Sequence, residues 1–221
     1  MKKVFKYILA LVCCVCIITA AFCFFVSKSD ADYTEADLSK GSLVLINNDY
    51  RLPSDYAPEL TTLSNGERVA SSMYPHLQKM FDDMRKQSVF PFVRSGYRSH
   101  EQQQNILENK IAQYIKEGLS PKSAKESALD WVAKPGASEH QSGLAVDINY
   151  VEGKSSPAMV YGWLNENAHK YGFILRYPKD KTDITGISNE PWHYRYVGKK
   201  AATEMYKQGL CLEEYLSSNS Q

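Results

Sequence analysis

Apolar and polar positions divide the chain into an uninterrupted apolar run, a polar stretch and a long region of mixed period. From Tyr7 to Val26 no charged residue interrupts the run, and Lys2, Lys3 and Lys6 precede it. At ~1.5 Å of rise per residue such a run matches a hydrocarbon core of ~30 Å, so it predicts one N-terminal transmembrane helix. Basic residues before the span put the amino terminus in the cytoplasm and everything after Ser27 outside. A cleavable signal peptide is the competing reading, and it would leave a secreted domain. Its apolar core is usually ~7–15 residues, whereas this run continues past Thr19-Ala20-Ala21. An uncleaved anchor is therefore expected over residues 1–27.

Residues 28–41 are polar and acidic without an apolar period, which predicts a linker. The folded domain is expected over 42–221. It opens on a strand-like Ser42–Ile46 and the turn-prone Asn47-Asn48-Asp49. From Ser72 the period becomes helical, with Met73, Leu77, Met80, Phe81 and Met84 on one face and charges opposite. Val89–Val93 reads as a strand. Ser99 with Gln102 three residues on is a capping box that starts another helix. Ser120-Pro121 starts a helix running to about Val132, with Ala124, Ala128, Leu129 and Trp131 as structural positions. Leu144–Tyr150 is a strand, Ser156-Pro157 opens a helix ended by Gly172, and Phe173–Tyr177 is a strand. A helix through Met205 ends at Gly209, and a last helical turn covers Glu213–Leu216. Helices and strands without regular βαβ alternation predict an α+β domain with a small, mostly antiparallel sheet flanked by helices.

Composition narrows the function classes. Of 26 Lys and Arg, three precede the apolar run, leaving 23 against 25 Asp and Glu. A near-neutral domain argues against nucleic acid as partner. Four of five cysteines lie in the apolar run, so only Cys211 remains and no intramolecular disulfide is possible.

The chemistry concentrates in two segments. In SEHQSGLAVD, Ser138 to Asp147, a histidine in a loop precedes by seven positions an aspartate inside an apolar strand. A carboxylate there is costly to bury without a partner, and a metal is a fitting one. EPWHYRY, Glu190 to Tyr196, adds a histidine with a glutamate three residues before it. A catalytic zinc site needs three nitrogen or oxygen ligands, an open position and a base. His140, Asp147 and His193 are the candidate ligands of one Zn2+, and Glu190 the base. In a regular strand Glu190 and His193 point to opposite faces, so a bulge or a strand entry at Pro191-Trp192 is needed to bring them together.

SxHxxGxAxD followed by ExWH resembles the motif pair of the VanY-type D-alanyl-D-alanine carboxypeptidases, zinc peptidases that trim the peptide stems of bacterial peptidoglycan. The resemblance covers roughly 43–215. It implies that Arg98 and Gln103, from SGYRS and the helix after it, reach the substrate. A guanidinium there suits a carboxylate or a developing oxyanion. It also implies that Ser138, Tyr177 and Trp192 line the substrate pocket.

These readings add up to a single-pass protein of the bacterial cell membrane with an extracytoplasmic zinc carboxypeptidase domain. It would act on the C-terminal D-alanine of stem peptides. An L,D-carboxypeptidase or an endopeptidase of the same fold is the alternative within the enzyme class, and a non-catalytic zinc domain that binds cell-wall peptide is the alternative outside it. The sequence leaves the oligomeric state open.

Overall fold

The computed structural model describes residues 33–219. Its centre is a four-stranded sheet made of β3 (Pro91–Ser95), β4 (Ala145–Tyr150), β5 (Phe173–Leu175) and β6 (His193–Tyr196), in the order β3-β4-β6-β5. A hairpin of β1 (Leu60–Thr62) and β2 (Arg68–Ala70) forms a separate two-stranded sheet and packs Val69 and Ala70 into the same core as that sheet. Every pairing in the four-stranded sheet is antiparallel. With the helices α1 (Tyr74–Lys86), α2 (His100–Lys116), α3 (Pro121–Leu129), α4 (Pro157–Asn167), α5 (Lys199–Gln208) and α6 (Leu212–Ser218), this is the α+β architecture that the pattern predicts.

Alternation in the two middle strands sorts the sheet into a core face and a site face. Val146 and Ile148 of β4 and Tyr194 of β6 are fully buried against the α1 stripe of Leu77, Met80, Phe81 and Met84 and against Val160 and Leu164 of α4. Each such side chain contributes roughly 1.5–3 kcal/mol of burial. Residues opposite one another across an antiparallel pair share a face. The register sets Asp147 opposite His193 and Ala145 opposite Arg195. The carboxylate, the imidazole and the guanidinium therefore emerge together on the face away from that core.

Four expectations are corrected. No helix among the described residues is long and apolar enough to cross a membrane; the longest, α2, spans 17 residues and carries charges along its length. Residues 7–26, on which the anchor rested, lie outside the described residues. The transmembrane helix, the single-pass membrane location and the membrane as partner are therefore withdrawn. Second, Ser42–Ile46 is not a strand. Its carbonyls at Ser42 and Val44 accept from Arg195 Nη2 at 3.1 and 2.9 Å, so a guanidinium takes the place of a neighbouring strand. Third, residues 35–41 do not behave as a linker: the compact unit begins at Glu35, Ala36 is buried, and its N–H donates to the Arg51 carbonyl. Fourth, the regular part of helix α3 stops at Leu129 rather than Val132, and the chain leaves it through a turn in which the Trp131 and Val132 N–H groups share the Ala128 carbonyl.

Candidate metal centre

The turn Glu139–Ser142 delivers the first histidine. All four of its residues are buried, so its polar atoms need partners within the fold. Gln141 Oε1 accepts from the Gly136 N–H at 2.6 Å. Ser142 Oγ donates to the Glu139 carbonyl at 2.6 Å and accepts from the Leu144 N–H at 3.1 Å. Gly143 closes the turn at φ 71°, where a Cβ would lie 3.0 Å from the Ala70 nitrogen. His140 Nδ1 sits 2.7 Å from the Gly96 carbonyl. A carbonyl only accepts, so Nδ1 carries the proton and Nε2 presents its lone pair to Asp147 Oδ1, 3.4 Å away. That approach requires glycine at 96: a Cβ there would lie 2.2 Å from the Arg68 carbonyl oxygen.

His193 is held in the opposite sense. Its Nδ1 faces Asp147 Oδ1 at 3.1 Å, and its Nε2 faces Glu139 Oε2 at 3.5 Å. This last pair is at the limit of hydrogen-bond range, and neither atom has another hydrogen-bond partner. An N–H donated from Nε2 to Glu139 satisfies both and leaves Nδ1 unprotonated. Nδ1 of His193, Nε2 of His140 and Oδ1 of Asp147 are then three acceptors pointed at one another, with the ligating atoms of the trio within 4.8 Å. Lone pairs so arranged repel unless a cation lies between them. Two nitrogens and one oxygen are the donor set of a catalytic zinc. Burial opposes charge on His193, yet its contacts with Asp147 and Glu139 outweigh it and raise the ring to about 9, so these carboxylates make the position one that favours a cation, and a metal bound there would displace the proton of Nδ1. Burial lowers His140, which stays neutral.

Beneath His193 lies a floor of fully buried charge. Glu139 Oε1 accepts from Arg176 Nε at 2.8 Å and from Arg195 Nη1 at 2.9 Å, leaving Oε2 for His193. Burial alone would raise the carboxyl, but the two guanidinium groups hold it well below the usual carboxylate range. Arg176 is also bidentate to Glu213 of α6, at 2.6 and 2.9 Å.

Glu190 reaches the site by a strand entry, not a bulge. The chain turns at Pro191-Trp192, closed by the His193 N–H on the Glu190 carbonyl at 3.0 Å, and β6 begins only at His193. Glu190 Oε2 thereby comes 3.6 Å from His193 Nδ1. Its carboxyl is pushed up chiefly by burial and also by the Asp147 charge, with His193 acting the other way.

Residues 66–199, which include both halves of this centre, match the model of the VanY D-alanyl-D-alanine carboxypeptidases. The chain belongs to that family. A D-alanyl-D-alanine carboxypeptidase of Enterococcus faecalis is 53% identical over 184 residues, 83% of this chain and 69% of that protein. The vancomycin-resistance D,D-pentapeptidase VanY of a VanB-type cassette, solved as a variant with Zn(II), is 55% identical with a TM-score of 0.76, covering 79% of this chain and 98% of that one. VanYB, solved with D-alanine-D-alanine, is 54% identical with a TM-score of 0.78, covering 81% and 99%. LdcB, an LD-carboxypeptidase, is 38% identical with a TM-score of 0.69, covering 80% and 86%. With membership comes the activity implied by the motifs, that of a zinc-dependent D-alanyl-D-alanine carboxypeptidase.

A cavity of about 520 Å³ brings together every site residue expected for a VanY-type enzyme: His140, Asp147, His193, Glu190, Arg98, Gln103, Ser138, Tyr177 and Trp192. Arg98 donates from Nη2 to Asp147 Oδ2 at 3.2 Å, from Nε to Ser95 Oγ at 3.0 Å and from Nη1 to Gln103 Oε1 at 3.3 Å. Gln103 is buried, and its other amide end donates to the Ala133 carbonyl at 2.8 Å. Both of its ends are thus engaged within the protein, and it braces Arg98 rather than offering itself to the cavity. Tyr177 is buried, its ring 4.9 Å from that of His193. Trp192 stands at the surface.

Sequence reasoning missed three residues and misread one. Glu139, Arg176 and Arg195 carry the floor of the site. The signal was present: FILRY and HYRY each place an arginine at an inward position of a short apolar strand, where a guanidinium needs a carboxylate, and Glu139 stands beside the first ligand. Trp131, expected to be structural, is 58% exposed and lines the cavity.

Proposed function

We propose that this chain hydrolyses the terminal D-alanine from peptidoglycan stem peptides, with His140, Asp147 and His193 as the zinc ligands and Glu190 as the general base. The observation that carries the reading is the convergence of two imidazoles and a carboxylate, with ligating atoms within 4.8 Å of one another, beside a second carboxylate of raised proton affinity in a cavity open to solvent. Zinc held there supplies the Lewis-acid polarisation that makes water nucleophilic near neutral pH. Glu190, more basic than an exposed glutamate, takes the proton of the attacking water and returns it to the amine of the departing D-alanine. Arg98 is fixed by Ser95, Gln103 and Asp147 on the cavity lining, and its guanidinium stabilises the anion that develops on the cleaved carbonyl. Glu139 acts through His193: by accepting from Nε2 it holds the ring with Nδ1 turned to the metal position. Ser138, Tyr177 and Trp192 shape the pocket around the chain end.

Incubating the purified zinc-loaded chain with peptides ending in D-Ala-D-Ala, and with the same stems shortened by one D-alanine, tests this reading. D-alanine release from the longer stems and not from the shorter is the expected result. Release from the shorter stems alone assigns an L,D-carboxypeptidase. Equal cleavage of acid and C-terminal amide assigns an endopeptidase.

A further inference from the structure

SGYRS and SEHQSGLAVD each carry a glycine against which the β1–β2 hairpin lies. At Gly96 a Cβ would meet the Arg68 carbonyl oxygen at 2.2 Å, and at Gly143 one would meet the Ala70 nitrogen at 3.0 Å. The hairpin uses that closeness. Beyond Val93 the register of β3 on β4 shifts, and the backbone that follows takes its partners from the hairpin instead. Asn65 Nδ2 donates to the Val93 carbonyl at 2.8 Å, Glu67 Oε2 accepts from the Gly96 N–H at 2.7 Å, and the Arg68 carbonyl accepts from the Tyr97 N–H at 2.6 Å. On the other side of His140, the Ala70 N–H donates to the Gly143 carbonyl at 2.8 Å.

Of these contacts only that of Glu67 is made by a charged side chain, and it falls on the residue that orients His140. Gly96 is held from both ends: its N–H by Glu67 and its carbonyl by His140 Nδ1, each at 2.7 Å. A histidine that ligates a metal through one ring nitrogen is aimed by the acceptor on the other, here a backbone carbonyl. Such a carbonyl fixes a ring only as well as its own backbone is fixed. Gly96 has no side chain to anchor it and lies past the shift in the ladder, so its orientation depends on the bonds of its two peptide units. A hydrogen bond to a carboxylate is roughly twice as strong as one between neutral groups. The segment it steadies also carries Arg98, whose N–H donates to the His140 carbonyl at 3.2 Å.

We propose that Glu67 is a positioning residue of the metal centre, holding the Gly96 N–H so that the Gly96 carbonyl keeps His140 turned to the metal position. The proposal rests on the reading of His140 as a zinc ligand. Glu67 is only partly buried, so its replacement leaves the fold standing. The test compares the full chain with its Glu67→Ala and Glu67→Gln variants in three ways. Zinc affinity is measured by competition with a chromogenic chelator, and the thermal midpoint is taken without metal. Exchange of the His140 Nδ1 proton with water is followed by NMR on isotope-labelled histidine in the zinc-loaded protein. Glu67→Ala should weaken zinc binding by about ten-fold, the lower end of what loss of a ligand's outer support costs, and should speed exchange of that proton. Glu67→Gln still offers an oxygen to the Gly96 N–H and should stay within about three-fold of the parent. A lower midpoint in Glu67→Ala with affinity and exchange unchanged makes Glu67 structural and overturns the proposal. Glu67→Gln as weak as Glu67→Ala places the effect in the charge and overturns the hydrogen-bond route. Equal zinc affinity in all three proteins overturns the proposal alone, whereas a parent that binds no zinc overturns it together with the metal site.

Discussion

Two glutamates flank the His193 ring, and their surroundings give them opposite work. Glu139 lies on the floor, wholly buried, with two guanidinium groups on one oxygen and the imidazole on the other. Glu190 lies in the cavity wall, pushed up by burial. The first is locked in its charged form and serves to orient. The second is able to take up a proton and lies next to the position where water would lose one. A carboxyl group acquires its function from the charges around it, and two glutamates within 4 Å of one ring can be told apart by counting guanidinium neighbours.

The largest effect that sharpens this contrast is loss of the metal itself. Exhaustive chelation should abolish D-alanine release, and added zinc should restore it; full activity in the metal-free protein would remove the basis for both roles. His193→Ala should lose bound zinc as well as turnover, as read by metal analysis of the purified protein.

Next is Glu190→Gln, which keeps shape and removes the proton acceptor. Its turnover should fall by a factor of order 10²–10⁴ while zinc content stays near that of the parent. A variant within a few-fold of the parent would assign the base elsewhere.

Glu139→Gln should act differently. With the carboxylate gone from His193 Nε2, zinc affinity should weaken by about 10–100-fold. The two arginines lose their shared anion, so the thermal midpoint should drop too; breaking a buried pair costs about 3–5 kcal/mol. Glu213→Gln is the control, since it takes a carboxylate from Arg176 without touching His193. It should lower the midpoint and leave zinc affinity alone. Equal affinity losses in the two variants would reduce Glu139 to a structural part.

The smallest effect expected is that of Arg98→Lys. The charge stays and the planar fork is lost, so kcat/KM should fall by about ten-fold with zinc content unchanged. A rate equal to that of the parent would mean that a point charge suffices there.

How legible this was from sequence differs between the two carboxylates. Glu190 stood in a motif with a histidine three residues on, and the alternation rule exposed the geometric obstacle, which the turn at Pro191-Trp192 removes. Glu139 stood beside a ligand and drew no attention, because its partners Arg176 and Arg195 lie 37 and 56 positions away, just after β5 and within β6, and only the fold of the sheet brings them together. The helices were readable from their stripes and caps: Ser99 with Gln102 forms the capping box expected of it. Ser42–Ile46 was misread because its short apolar run is that of a strand, while its backbone partner is an arginine side chain. Trp131 was misread because an aromatic at the end of a helix gives no sign in sequence of whether the next turn folds it inward or out.

Turnover measured against free zinc concentration, for the parent, Glu190→Gln and Glu139→Gln side by side, tests the division of labour most directly. Glu190→Gln should take up zinc at the same concentration as the parent and remain slow at saturation. Glu139→Gln should need about 10–100-fold more zinc and then recover most of the parent rate. Recovery of Glu190→Gln by zinc, or a Glu139→Gln variant that fills at the parent's zinc concentration yet stays slow, would contradict the assignment of proton transfer to one carboxylate and orientation to the other.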